Sequence, residues 1–337
     1  MARARTVWTA LAIVYVVWGS TYLAMRYLVE TISPFLGGAF RFLLAGVLLG
    51  AVLAGTGGWR RLRISWPEAA ASGLVGLLLL VGGNALVMVA EQSISSGLAA
   101  LCVAAVPLFV VVLRLATGDR PLPATVLGVV VGFVGIATLV QPGGGNMTGV
   151  LTVILAAFSW SVGSFLSGRI RLPADPLVGT TYEMLVGGLV LLAISAARGD
   201  VTSFSAGHVS RASWIALAYL VVFGSLVAFS AYVWLLQSAP ISTVSTYAYV
   251  NPAVAVLLGM IAGEALSWRI LIGGALVIVA VAVVVTAEGR ARARAHREDP
   301  AAGPTGAGLP PGADPGSERC EARQQPAGAP GRAVERR

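Results

Sequence analysis

The dominant pattern along the chain is a series of apolar runs, each closed by a short stretch that contains Gly, Pro or Arg. A helix of about 20 apolar residues crosses the hydrocarbon core of a bilayer, so each run predicts a membrane span. The pattern therefore predicts an all-α polytopic membrane protein. Its ten transmembrane helices are expected at about 7–28, 34–54, 67–90, 95–117, 124–141, 148–169, 176–197, 212–236, 240–262 and 268–287.

The two halves of the chain repeat one another. The matched pairs are Trp18 with Trp160, Pro34 with Pro176, Gln92 with Gln237, and Pro107 with Pro252. The first two pairs are 142 residues apart and the last two are 145 apart, so a three-residue slip around the third and eighth spans aligns the halves. Each repeat holds five spans, an odd number, so the second repeat is expected to enter the membrane inverted. The predicted repeats cover 7–142 and 148–287, and such inverted repeats are typical of secondary transporters.

Charge is scarce in the chain and unevenly placed. Charged residues make up 11% of the sequence, whereas about 25% is usual in soluble proteins. With the N-terminus inside, the inner segments hold 13 Arg and the outer loops hold only Arg198, Arg211 and Arg269. This bias predicts a plasma-membrane protein with both termini in the cytoplasm. The net charge of +8 thus orients the chain in lipid, so the lipid bilayer and not nucleic acid is the expected partner.

The composition changes at Glu288. From there Pro, Gly, Ala and charged residues dominate, with almost none able to build a core. We therefore expect 288–337 to be a disordered cytoplasmic tail. The Arg cluster at its start is expected to lie on anionic lipid headgroups.

Residues that catalysis or metal binding requires are scarce. The chain has no Lys, which excludes a Schiff-base Lys and a Walker A Lys, and its two His and two Cys lack metal-ligand spacing. No H-E-x-x-H, D-D-x-x-D or G-x-S-x-G motif is present. We therefore expect no enzyme activity, no cofactor and no metal site, and transport would have to use a gradient.

Polar and aromatic side chains within the spans are the candidates for a substrate pathway. They are Trp18, Ser20, Thr21, Tyr22, Asn84, Trp160, Ser164, Tyr247, Tyr249 and Asn251. Trp normally lies at membrane interfaces, so Trp18 and its repeat partner Trp160, both well inside spans, predict an aromatic cavity wall. The last three residues precede Pro252, and interrupted helices often line transport sites. Helix packing is the alternative for both Trp, for Asn84 and for Tyr247.

Two charges of opposite sign stand in the middle of spans. Arg41 and Glu183 occupy matched positions of the two repeats, each seven residues past the Pro that opens its span. A charge at the bilayer centre costs about 2.5–3.5 kcal/mol on insertion scales and usually faces a partner or a water-filled cavity. We expect an ion pair or a shared polar cavity, with snorkelling of each side chain as the alternative. Glu183 is also a candidate for proton coupling, because burial favours the neutral acid.

Seven stretches carry a family resemblance: YVVWGSTYLAMR, FRFLLAG, GGNALVMVAEQSISSGLAALCVAAVPLF, SWSVGSFLSGRI, YEMLVGG, FGSLVAFSAYVWLL and STYAYVNPAVAVLLGMIAGEALS. Together they cover most of 7–287 and resemble the drug/metabolite transporter superfamily with two EamA-type repeats, its YedA-like exporters most closely. The resemblance implies ten helices, cytoplasmic termini and export of small metabolites or drugs. The family's acidic residue after the fourth span is often Glu; here Asp119 stands there, and Glu264 follows the ninth. We expect both to cap or anchor helix ends.

The repeat and the resemblance together predict a secondary transporter. It would export small metabolites or drugs, such as amino-acid-like or amphiphilic compounds, by alternating access, with a small-molecule substrate and the bilayer as partners. An integral membrane enzyme or a lipid-handling protein on the same spans is the alternative, which paired catalytic carboxylates or His would favour. The sequence names no particular substrate, coupling ion or oligomeric state.

Overall fold

The computed structural model describes residues 2–119, 121–139, 147–239, 241–244, 246–265 and 267–298, and the regular structure within them is helical. We number the long helices α1 to α10 in chain order. They are α1 (Ala2–Val29), α2 (Pro34–Gly57), α3 (Trp66–Gly76, Leu77–Ala85 and Leu86–Ala90), α4 (Ser96–Val103 and Val106–Ala116), α5 (Pro123–Leu139), α6 (Met147–Ser167), α7 (Pro176–Ala197), α8 (Arg211–Tyr219, Leu220–Val227 and Ala228–Ser238), α9 (Ile241–Val244 and Tyr247–Ile261) and α10 (Trp268–Glu298). Short helical turns at Trp59–Leu62, Asp200–Ser203 and Ala206–His208 lie in the connections.

The helices fit a bilayer by length and composition. Within the described ranges, eight of them are long and apolar enough to cross a membrane, and α5 and α9 are shorter apolar helices. Pro34 and Pro176 stand at the first position of α2 and α7, where a missing N–H disrupts no hydrogen bond. The all-α, membrane-spanning class predicted from the apolar runs is confirmed.

Two features depart from the predicted boundaries. α10 continues to Glu298, past residue 287, the predicted end of the last span, because 288–298 is rich in the helix formers Ala and Arg. The predicted tail therefore begins inside a helix, and 299–337 lies outside the described residues.

The matched prolines Pro107 and Pro252 do not interrupt their helices in the same way. α4 is interrupted directly ahead of Pro107, whereas Pro252 lies inside the continuous second part of α9.

α3 and α8 each contain a π-helical segment in the middle. The segments are Leu77–Ala85 in α3 and Leu220–Val227 in α8. The third and eighth helices are also where the alignment of the two halves requires its three-residue slip. A π segment widens the helix and re-aims its side chains and carbonyl groups, and such segments are frequent at functional sites. These two turns position most of the polar groups described below.

Helices of the first half pack mainly against helices of the second half. α2 packs along α7 and α5 along α10, while α1 contacts α8 and α9, and α6 contacts α3 and α4. Exchanging each helix for the one five places away in the numbering leaves this set of pairs unchanged. Glycine allows the closest approach: a Cβ at Gly135 of α5 would lie 3.0 Å from the carbonyl oxygen of Gly273 in α10. These helices therefore meet backbone to backbone.

Candidate functional site

Arg41 lies in a polar cluster that helices of both halves build. Its side chain is buried, with Nε donating to Ser225 Oγ at 3.2 Å and Nη1 donating to Asn84 Oδ1 at 3.2 Å. Asn84 lies in the π segment of α3 and Ser225 in that of α8. The two widened turns thus supply acceptors for a guanidinium that the apolar surroundings would otherwise disfavour.

Trp18 connects this polar cluster to a group of aromatic rings. Its Nε1 donates to the carbonyl oxygen of Gly224 at 3.2 Å, directly beside Ser225. Its ring centroid lies 5.1 Å from that of Tyr232 and 5.4 Å from that of Tyr247, within the range of favourable aromatic pairs. Trp18, Tyr232 and Tyr247 are called the aromatic cluster below.

Thr21 completes the polar cluster. Its hydroxyl donates to the Trp18 carbonyl at 2.6 Å, and a Cβ at Gly224 would lie 3.1 Å from its methyl carbon. Trp18, Thr21, Arg41, Asn84 and Ser225 form the central cluster. The structure thus brings three predicted pathway residues together with the predicted intramembrane Arg; sequence reasoning missed Ser225, which no repeat match or motif distinguishes.

A related contact recurs in the other half of the protein. Ser159 of α6 donates to the Leu78 carbonyl in the π segment of α3 at 2.8 Å, as Trp18 of α1 donates to Gly224 in α8. Trp160 packs on the same segment, since a Cβ at Gly83 would lie 2.7 Å from its Cε3. In a π segment some carbonyls lose their usual helical donor, which leaves them free to accept from side chains.

The other predicted residues make helix contacts. Ser20 Oγ hydrogen-bonds the Tyr219 hydroxyl at 2.6 Å and so joins α1 to α8, while the Ser164 carbonyl accepts from Ser167 within α6. Tyr22 and Tyr249 pack against the main hydrophobic core. Asn251 is buried, and its Oδ1 has no hydrogen-bond partner among the described residues.

Arg41 and Glu183 do not form the expected ion pair. No ion pair between them is present in the part of the chain that the structure describes. Gly46 of α2 packs on Leu185 of α7, and Gly188 packs on Leu43, so the two helices run antiparallel past each other. This register places Glu183 about seven residues, or about 10 Å, along α7 from the level of Arg41. Arg41 instead reaches the acceptors on α3 and α8.

A second group of polar residues lies at the end of the bundle where α1, α3 and α9 finish and α4 begins, which we call the distal end. Glu264, just after α9, accepts the backbone N–H groups of Ser96 at 2.9 Å and Gly97 at 3.2 Å. It therefore caps α4 from another helix, where a carboxylate is favoured by the helix dipole. Arg26 of α1 places its Nε 3.6 Å from Glu264 Oε1. The expected capping role of Glu264 matches this geometry.

Glu91 belongs to the same region, and sequence reasoning missed it. It follows α3 directly, is 2% exposed, and neither carboxylate oxygen has a hydrogen-bond partner among the described residues. The charged groups within electrostatic range of it are Arg26, Arg41 and Glu264, which come from α1, α2 and the segment after α9. Arg26, Glu91 and Glu264 form the distal cluster. No sequence pattern indicates a role for Glu91, because its burial arises from tertiary packing over the turn between α3 and α4.

The central and distal clusters provide recognition groups and no arranged nucleophile. A guanidinium and neighbouring aromatic rings bind anionic, polar and aromatic groups. Within the described ranges, no group of three or more His, Cys, Asp or Glu could hold a metal ion. A small cavity of about 130 Å³ lies away from the central cluster, among Thr31, Ser33, Asp200 and His208.

Comparison with known proteins identifies relatives along most of the chain. The model of the EamA-like transporter family matches twice, at residues 6–141 and 147–286. The uncharacterized inner membrane transporter YedA of Escherichia coli (strain K12) is 39% identical over 263 residues, which cover 77% of this chain and 83% of that protein. A WAT1-related chloroplastic protein of Arabidopsis thaliana is 30% identical over 285 residues, which cover 81% of this chain and 68% of that protein.

A solved structure shares the fold. A crystal structure of another protein matches with a TM-score of 0.58 at 24% identity, covering 86% of this chain and 99% of that one. The bacterial relatives are named as transporters and not as enzymes, and YedA is named as an inner membrane protein. With two family matches and a series of membrane-spanning helices, this chain belongs to the EamA-like transporter family.

Proposed function

We propose that the protein is a secondary transporter of the plasma membrane that exports small metabolites or amphiphilic compounds. The observation that carries this proposal is the central cluster, where a buried guanidinium, an amide, a hydroxyl and aromatic rings meet between helices of both halves. Family membership supports the general role. The lack of a Walker A Lys favours transport driven by a gradient.

We propose alternating access between two inverted five-helix repeats as the mechanism. Two findings support it: the family model matches each half of the chain separately, and the main helix pairs described above are unchanged when the halves are exchanged. If the two halves exchange conformations, a substrate site that is open to one side of the membrane becomes open to the other side. An exchange of this kind would change the surroundings of the central cluster, because α1 and α2 meet the π segments of α3 and α8 there.

The side chains of the central cluster indicate the substrate class. Arg41 suits a carboxylate or another anionic oxygen, since guanidinium groups bind such groups by charge-assisted hydrogen bonds. The aromatic cluster beside it suits an apolar, aromatic or cationic part of the same molecule. A compound with both parts is amino-acid-like or amphiphilic, so we propose that class.

Metabolite profiling of the growth medium tests this function. Cells that overexpress the protein should raise one or a few amphiphilic metabolites in the medium several-fold relative to a deletion strain. Trp18→Ala and Arg41→Gln should abolish the increase at equal membrane abundance. Trp8→Ala is the matched control, because Trp8 lies on the same helix and is 63% exposed. If no metabolite changes, or if Trp18→Ala exports as much per molecule as Trp8→Ala, the proposal is wrong.

A further inference from the structure

Glu91 is a buried acidic group whose bonding is incomplete. Its side chain is 2% exposed, and neither oxygen has a hydrogen-bond partner among the described residues. Leaving an ionised carboxylate buried without hydrogen bonds is costly, far more so than for a neutral polar group. The ionised form of this site therefore requires a partner that no side chain in the described part of the chain supplies.

Arg26, which contacts the Glu91 backbone, forms no hydrogen bond with the Glu91 carboxyl. Arg26 Nη1 donates to the backbone carbonyl of Ile94 at 2.9 Å and to that of Glu91 itself at 3.4 Å, while its Nε faces Glu264. Arg26 thus fixes the turn between α3 and α4 and supports the cap on α4. The Glu91 carboxyl is left without a hydrogen bond although a guanidinium stands beside its backbone.

The other charged and titratable neighbours do not satisfy the carboxyl. Arg41 is engaged with Asn84 and Ser225, the Glu264 carboxylate repels a second negative charge, and the Tyr22 hydroxyl lies within electrostatic range. These groups come from α1, α2 and the segment after α9; α6 also packs on the end of α3, and its described residues carry no charged side chain. In such surroundings a carboxyl is most stable as the neutral acid.

We propose that Glu91 is a proton-binding site of this transporter and that its bound proton keeps the distal end closed. The proposal rests on the proposed transport function. In the binding step, a proton from water forms one O–H bond on the Glu91 carboxylate, no other bond changes, and the site becomes less negative by one charge. When the proton leaves, the carboxylate competes with Glu264 for Arg26. That competition weakens the contact between α1, the start of α4 and the end of α9.

The direction of proton movement in this proposal fits export of the substrate. Residue 91 lies at the predicted outer side, so a proton would bind there when the distal end is open and would close it. An inward proton movement alternating with outward substrate movement is an antiport cycle. Glu264 is a positioning residue in this scheme, because it acts on α4 through the backbone groups of Ser96 and Gly97.

Infrared spectroscopy of the purified protein in lipid tests the site without any substrate. At neutral pH the wild type should show the carbonyl stretch of a protonated carboxylic acid, and this band should be missing from Glu91→Gln. Glu91→Asp should restore a band, which separates loss of the acid from a folding defect. Glu30→Gln is the matched control, because Glu30 is an exposed carboxylate at the end of α1. An identical band in wild type and Glu91→Gln would overturn the proposal.

Sodium provides the sharpest alternative ligand. If Glu91 binds Na⁺ instead, its carboxylate bands should shift when Na⁺ is added to a Na⁺-free sample, with no acid band at any pH, and the proton proposal fails.

Spin labels at Glu30→Cys and Ala262→Cys, both exposed and at the distal end, report closure of that end. Their open-to-closed ratio should rise by up to about tenfold per pH unit in the wild type, the limit for one proton, and stay constant in Glu91→Gln. A pH response that persists in Glu91→Gln would also overturn the proposal.

The two proposals fail separately. An acid band at Glu91 in a protein that exports nothing would contradict the proposed transport function and would still support the proton site. Export that continues with an ionised Glu91 would contradict the proton site and would still support the transport function.

Discussion

At the scale of single residues, the buried Arg41 is stabilised by neutral acceptors. An amide oxygen and a hydroxyl replace water for the guanidinium, and both stand in π segments that present them toward α2. Breaking one of these bonds leaves a buried donor without a partner, at a cost of about 1–3 kcal/mol. Measured interhelical bonds in membranes are weaker, about 0.6 kcal/mol on average.

Removing the acceptors should therefore destabilise the protein modestly, and only through Arg41. We expect Asn84→Ala and Ser225→Ala each to lower the free energy of unfolding in lipid by about 0.5–1.5 kcal/mol. In an Arg41→Gln background each loss should shrink by at least half, because the donor is gone. Ser167→Ala is the control, since its hydroxyl donates within its own helix. Losses of equal size in both backgrounds would show that the acceptors act independently of Arg41.

The sequence indicates part of this site for physical reasons. Trp18, Thr21, Asn84 and Arg41 are recognisable because polar and aromatic groups deep in apolar spans require partners. Ser225 looks like any small polar residue of a membrane helix, and only the π segment of α8 aims it at Arg41. Glu91 follows a span, where a carboxylate normally meets water. The sequence therefore gives no reason to expect it buried.

At the scale of helices, crossings depend on glycine. A Cβ at Gly76 of α3 would lie 2.5 Å from the backbone oxygen and 2.8 Å from the Cα of Glu183 in α7. Backbone atoms of a packed helix cannot rotate away as a flexible side chain can. This crossing also holds the helix that carries Glu183 against the start of the π segment of α3.

Gly76→Ala should therefore separate α3 from α7. We expect it to lower the free energy of unfolding by about 1–3 kcal/mol, the usual cost of overpacking. Gly55→Ala is the matched control: it lies within α2, and a Cβ there would meet no atom within 4 Å. That control should be neutral or stabilising by up to about 1 kcal/mol, because Ala favours the helix. Equal effects of the two variants in chemical unfolding would contradict this explanation.

Helix positions are more predictable than helix interruptions. The apolar runs locate the helices to within a few residues, except at the end of α10, because length and hydrophobicity decide whether a segment enters a bilayer. The π segments of α3 and α8 leave only an indirect trace, the slip between the repeats. Pro252 shows the limit of a local rule, since α9 accommodates it inside a continuous helix.

At the scale of the whole molecule, the Arg distribution predicts a definite orientation. We expect the connection between α7 and α8 to face outward and the connection between α2 and α3 to face the cytoplasm. A reporter enzyme that works only outside the cytoplasm should be active when fused after Thr202 and inactive when fused after Arg61. Activity in the reverse pattern would invert the topology and place the distal cluster on the cytoplasmic side.

In the proposed transport mechanism, the two halves of the protein exchange conformations. Two helix pairs that are related by this exchange, α1 with α9 and α6 with α4, should then separate alternately and not at the same time. A channel would open both ends together, and a static scaffold would open neither. The distances at the two ends of the bundle therefore discriminate among these mechanisms.

Electron paramagnetic resonance distances between spin labels measure this exchange directly. One pair at Glu30→Cys and Ala262→Cys reports the distal end, and a second at Thr117→Cys and Arg169→Cys reports the opposite end, each in a chain whose two native Cys are replaced; all four sites are exposed. We predict two distances for each pair, with changes in pH or substrate shifting the populations in opposite directions at the two ends. A single fixed distance at both ends, or widening of both together, would contradict alternating access.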